Sequence, residues 1–320
     1  MIRYIYISLF FLLLNAPSIF AQQEEQFTQF MYYKQGLNPA YVGSEEALSI
    51  TGMSRNQWLG IDGAPQTQLL SIMAPILNQR IGVGANILRQ TIGVTDMYTL
   101  DGMYAYRIKV PRGFLGIGIQ ASVRLFRVDF SDLQGTQPLT QDEAVPMGIQ
   151  SKFLPNFGAG IYYDARNFYV GFSAPRLLRN NIDLASNDGV IAREVTHAYM
   201  MTGGNIKLSE QLQLQPQFLL KYVSGAPFDA DVNFNLLIAE KFTTGLSYRI
   251  GGSKESGIGE AISLLLGIQL SDNILLGVSY DATVSELRKY NSGTIEGIVR
   301  YRVGGKSEDE EVDNPRFFNN

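Results

Sequence analysis

The stretch Ala261–Thr283, AISLLLGIQLSDNILLGVSYDAT, decides the fold, and with it goes TIEGIVRYRV over residues 294–303. Ile262, Leu264, Leu266, Ile268 and Leu270 share one parity. Ser263, Gly267 and Gln269 share the other, with Leu265 the large apolar exception. After the polar turn Ser271-Asp272-Asn273, Ile274, Leu276, Val278 and Tyr280 alternate with Gly277, Ser279 and Asp281. Ile295, Val299, Tyr301 and Val303 then alternate with Thr294, Glu296, Arg300 and Arg302. Successive side chains on a strand point to opposite faces, so each segment is a strand with one greasy and one polar face. A soluble sandwich turns the greasy face inward and a membrane barrel turns it outward.

Working outward, the alternation recurs along the chain and predicts fourteen strands. They lie near 47–58, 66–76, 80–91, 96–109, 113–127, 155–164, 167–175, 195–208, 211–223, 228–239, 241–250, 260–270, 273–283 and 290–303. In the fourth, Tyr98, Leu100, Tyr104, Tyr106 and Ile108 oppose Thr99, Asp101 and Arg107. In the tenth, Val232, Phe234, Leu236 and Ile238 oppose Asp229, Asp231, Asn233 and Asn235. Most of these strands exceed the five or six residues usual in soluble sheets. Connections after even-numbered strands are tight, as at 77–79, 164–166 and 271–272. Those after odd-numbered strands are often long, above all 128–154 and 176–194, with 92–95 and 224–227 as exceptions. Long strands, an even count and short turns at one end point to an all-β, antiparallel, up-and-down transmembrane barrel of the outer membrane. Both termini are then expected on the short-turn, periplasmic side.

Composition agrees. The chain has 320 residues, 45% hydrophobic and 18% charged, with 32 Gly. Its net charge of −4 gives no argument for a nucleic-acid partner. With no Cys, disulfide scaffolds, thiolate metal sites and Cys nucleophiles are excluded. Residues 1–21 read as a secretory signal: Arg3, an apolar core over Tyr4–Leu14, and Ala21 before the cleavage point. That core is too short to span a membrane as a helix. The domain reading is a signal over 1–21, an irregular aromatic segment over 22–46, the barrel over 47–303 and an acidic, disordered tail over 304–320.

No set of residues offers chemistry. His197 is the one histidine, so any Ser triad would depend on it, and it reads as a hydrogen-bonded strand residue. Gly113–Gly118 lies inside an alternating strand and opens no helix, so it is not a phosphate loop. Asp229, Asp231, Asn233 and Asn235 are spread along one strand face and read as a hydrated wall, not a calcium site. No cofactor, metal or enzymatic activity is expected. The lumen parity carries Arg55, Arg107, Arg124, Arg249, Arg300 and Arg302 against Asp101, Asp281 and Glu296. Fourteen strands leave a lumen too wide for the wall's side chains to fill, so it is wet or plugged. The segments 22–43 and 128–154 are each long enough to enter it.

At Asn38-Pro39-Ala40-Tyr41-Val42-Gly43 the chain begins to resemble the PorP/SprF family of the type IX secretion system. The likeness continues through Arg55-Asn56-Gln57-Trp58, Gly63-Ala64-Pro65-Gln66-Thr67 and Tyr104-Ala105-Tyr106-Arg107. It closes with Tyr280-Asp281, Ser292-Gly293 and Glu296. The resemblance implies an outer-membrane barrel of a Gram-negative bacterium that binds, anchors or helps export cargo, such as gliding adhesins with type B C-terminal domains. It implies cargo and other secretion components, some periplasmic, as partners. The alternative is a passive porin or hydrophobic-solute transporter. The family supplies no catalytic or ligand set, so Asn38, Pro39, Tyr41, Gly43, Arg55, Gln57, Trp58, Pro65 and Thr67 are expected to be structural or partner-facing.

Overall fold

A computed structural model describes residues 24–45, 47–132, 148–184, 193–224, 226, 228–251 and 259–303. The expected signal over 1–21 and acidic tail over 304–320 lie outside them, as does most of the 128–154 connection.

Fourteen strands form one antiparallel sheet. They are β1 (Leu48–Asn56), β2 (Gln66–Ile76), β3 (Ile81–Ile92), β4 (Thr95–Val110), β5 (Gly113–Asp129), β6 (Ile149–Ala165) and β7 (Phe168–Ala174). Then come β8 (His197–Gly204, continued past Asn205 by Ile206–Lys207), β9 (Leu212–Val223), β10 (Asp229–Ile238), β11 (Phe242–Ile250), β12 (Ala261–Gln269), β13 (Ile274–Thr283) and β14 (Thr294–Val303). Each pairs with its neighbours in sequence, and β14 pairs with β1 in the register Leu48↔Val303 to Asn56↔Ile295. The sheet therefore closes, and no backbone edge is left to face hydrocarbon.

The greasy parity points outward. Leu100, Ile119, Leu246, Ile262, Leu264, Leu266 and Val299 are all exposed, while Thr99, Asp101, Ser263, Asp281, Glu296 and Arg300 are buried in the lumen. Among the described residues no helix is long and apolar enough to cross a membrane. The closed ring of strands with its apolar face outward makes the crossing. Turns after even-numbered strands are tight. The β2–β3 turn holds Leu77, Asn78 and Gln79 at φ 50, 53 and 62°, and the β10–β11 turn holds Ala239 and Glu240 at φ 51 and 55°. Such left-handed pairs match the twist of a hairpin.

Two expectations need correction. First, β6 begins at Ile149, not 155. Pro155 has no N–H for the ladder and marks a strand limit in most sheets, yet here it sits within the strand opposite Val123. Second, the two ends of the described chain do not share a side. β1 starts and β14 ends on the short-turn side, but the segment before β1 runs back through the lumen. Glu24 lies at the loop end, beside Arg124 of β5 and Arg176 beyond β7.

Candidate functional site: a lumen filled by the chain's own N-terminal segment

Residues 24–45 traverse the barrel. Two single 3-10 turns, Phe30–Tyr32 and Pro39–Tyr41, flank one α-turn, Lys34–Leu37. The short turns place apolar rings on several sides at once, which suits a plug touching a wall all around it. Phe27, Phe30, Met31, Tyr33, Leu37, Tyr41 and Val42 are all buried. Phe27 meets Tyr33 edge-on at 5.2 Å, and both pack with inward Met53, Leu69, Leu88 and Ile298. Lower down, Tyr41 meets Tyr162 edge-on at 5.2 Å, beside Met73, Met103 and Met201.

The loop-side half is held by charge. Arg124 donates to Glu24 at 2.9 Å and to Glu194 at 2.9 Å, and lies 3.6 Å from Glu25. Arg176 also donates to Glu24. Arg55, 2% exposed, forks to Asp281 at 2.8 Å and Glu296 at 2.9 Å. The same carboxylates hold the plug. Thr28 Oγ1 donates to Asp281 at 2.7 Å, and the backbone N–H groups of Thr28 and Gln29 donate to Glu296 at 3.0 and 2.8 Å. Midway, Gln35 donates to Asn86 at 2.7 Å.

The turn-side half is held by close backbone approach. Asn38 Oδ1 accepts from the N–H of Ala40, and its Nδ2 donates to the Ile161 carbonyl at 2.9 Å. Arg107 donates to the Gly43 carbonyl. A methyl group on Gly118 would collide with the Ala40 backbone, and one on Gly82 with Val42 and Gly43. Glycine in these strands is the space the plug occupies.

The expected site residues fall into two groups. Asn38, Pro39, Tyr41 and Gly43 belong to the plug, with Pro39 opening the second 3-10 turn and Gly43 at φ 78° against Gly82. Arg55 and Thr67 are buried and register-paired across β1 and β2. Gln57, Trp58 and Pro65 line a cavity of about 240 Å³ at the loop side, with the Gln57 N–H donating to the Pro65 carbonyl at 2.9 Å. Trp58 sits at φ 48°, its N–H 3.2 Å from Thr294 Oγ1. His197 stands at the start of β8, buried, its Nδ1 3.0 Å from the Val195 carbonyl. Asp231 is committed to Arg249 and Lys221, at 2.7 Å each. Arg302 is half-buried at the turn-side mouth.

Sequence reasoning missed Glu24, Glu25, Lys34, Gln90, Arg176 and Glu194. Lys34 stands 3.7 Å over the Tyr169 ring, inside the turn-side mouth. One signal was available. Inward Leu69, Leu88, Met103 and Leu265 are apolar residues on an otherwise polar wall, as expected where something apolar occupies the lumen.

No curated protein matches the chain. Among solved structures it is similar to the Acinetobacter baumannii outer membrane protein Omp33, at 10% identity and TM-score 0.48, over 82% of this chain and 100% of that one. It is likewise similar to the TodX deltaS2S3 mutant monoaromatic hydrocarbon channel, at 11% identity and TM-score 0.49, over 83% and 92%. A third is the KdgM porin in complex with disordered oligogalacturonate, at 10% identity and TM-score 0.37, over 79% and 98%. Likenesses this distant carry no argument about what the barrel does. The family described as type IX secretion system membrane protein PorP/SprF matches residues 19–301. With that match spanning nearly all of a closed barrel whose apolar face is turned to lipid, this chain belongs to the PorP/SprF family of the type IX secretion system and is an outer-membrane protein.

Proposed function

We propose that this barrel binds, anchors or helps export type IX cargo, such as gliding adhesins with type B C-terminal domains, and is not a diffusion channel. The filled lumen carries the reading. Wall residues that would be wet in an open pore, among them Arg55, Asn86, Asn156 and Asn233, are buried, Arg55 and Asn86 against Thr28 and Gln35 of the plug. Cavities of about 240 Å³ on the loop side and about 280 and 340 Å³ on the turn side flank that buried middle. Among the described residues the plug leaves a solute no wide path past them, whereas a rigid, plugged barrel is a sound platform for a protein partner. Partners are the exported protein outside and other secretion components, some on the periplasmic side, with outer-membrane lipid around the wall. Two measurements test this together. Deleting the gene should strip one exported protein from the cell surface while the secretion machinery still assembles. The purified barrel in a planar bilayer should conduct far less than an open porin. Retained cargo display with large, steady conductance would make it a transporter.

A further inference from the structure

We propose that the loop-side cavity is a binding site for one basic side chain, arginine or lysine, of the exported partner, an assignment that rests on the cargo-holding reading above. Its volume of about 240 Å³ falls below the roughly 300–1,000 Å³ typical of small-molecule sites. It therefore suits a single side chain from a larger partner. It sits among the long connections, on the side an exported protein would meet.

The chemistry of its lining selects charge. Arg124 is already used, by Glu24, Glu25, Glu194 and Thr99 Oγ1, so among the described residues lining the cavity no free arginine or lysine is left for an anionic ligand. The remaining groups can accept. Glu260 lines the cavity at the start of β12; Arg249 acts on its carboxylate through space, and no hydrogen bond or close ion pair holds that carboxylate among the described residues. Gln90 is 7% exposed, faces the cavity, and likewise has no side-chain partner among them. An amide that faces the cavity can offer its oxygen to a ligand donor. Gln57 adds a second amide, and Trp58 supplies an aromatic ring. Carboxylate, amide oxygens and an indole face together match a guanidinium, which is planar, donates in a fork and stacks on aromatic rings. They match an ammonium less completely.

Trp58 is the one tryptophan of the chain, so its emission reports on this cavity alone. The full-length purified protein in detergent is titrated with acetyl-Gly-Arg-Gly-amide, with the lysine counterpart, and with neutral citrulline and acidic glutamate counterparts. The arginine peptide should give a saturable emission change, lysine a weaker one, citrulline and glutamate none. Glu260→Gln should weaken arginine binding about tenfold, the worth of one charge-assisted hydrogen bond. Gln90→Leu should weaken it too, and serves if Glu260→Gln does not fold, with heat-modifiable gel mobility as the check on folding. Equal response to citrulline, or no saturable change with arginine, overturns the site. The two readings fail separately. Arginine binding in a protein whose deletion leaves cargo on the surface keeps the site and removes the cargo role. Lost display without arginine binding does the reverse.

Discussion

Arg55→Met removes the cation that bridges two buried carboxylates, leaving Arg249 to act on Asp281 from further off. Arg55, Asp281 and Glu296 are 2, 2 and 0% exposed, so neither carboxylate can turn to water. Breaking a buried ion pair on one side costs about 3–5 kcal/mol, mostly from the stranded charge. Part of that is offset here. Asp281 keeps the Thr28 hydroxyl, and Glu296 keeps the backbone N–H groups of Thr28 and Gln29. The expected loss is therefore at the lower end, about 3 kcal/mol, a large share of a typical net stability of about 5–15 kcal/mol. Because the same carboxylates hold Thr28 and Gln29, the loop-side half of the plug should also loosen. Urea unfolding followed by heat-modifiable gel mobility reads the first effect, and brief openings in a planar bilayer read the second. Arg55→Lys should fall between, since an ammonium is a point charge that cannot fork to both carboxylates as guanidinium does. An unfolding midpoint for Arg55→Met equal to the parent's, with a silent bilayer, would refute the view that this triad locks the plug.

Three further outcomes are expected. Gly118→Val should collide with the Ala40 backbone, expel the turn-side half of the plug and raise conductance while the barrel still folds; unchanged conductance would count against that packing. Leu266→Arg, on the exposed lipid face, should cost about 2–4 kcal/mol, and Gln269→Arg at the strand end much less, as judged by unfolding midpoints; equal losses would contradict the parity. In this cysteine-free chain, Asp62→Cys on the β1–β2 connection should react with a membrane-impermeant maleimide on intact cells, and Asn78→Cys on the β2–β3 turn only after the outer membrane is opened. The opposite order would invert the barrel.

The strands, their number and the outward face were legible in the sequence because they rest on a local rule. Side chains alternate every residue, so Ile262, Leu264 and Leu266 declare their face without any knowledge of their neighbours. The asymmetry of the connections was likewise readable, since tight turns such as Leu77-Asn78-Gln79 lie between adjacent strands. The local rule failed at Pro155, where a residue that usually bounds a strand is carried by its pairing with β5, opposite Val123, ahead of the stretch that pairs with β7. The filling of the lumen was not legible. Thr28 meets Glu296 across 268 positions and Asp281 across 253, and Asn38 reaches Ile161 across 123. The charges on the wall could be listed from parity, but their partners could not. Whether Arg55 and Arg124 faced water, each other or a plug depended on closure of the ring, which brings β14 beside β1, with β13 next beyond it, and leaves one passage for residues 24–45. Burial then decided the pairing, because charges enclosed by that ring are tolerable only when another segment supplies what water no longer can.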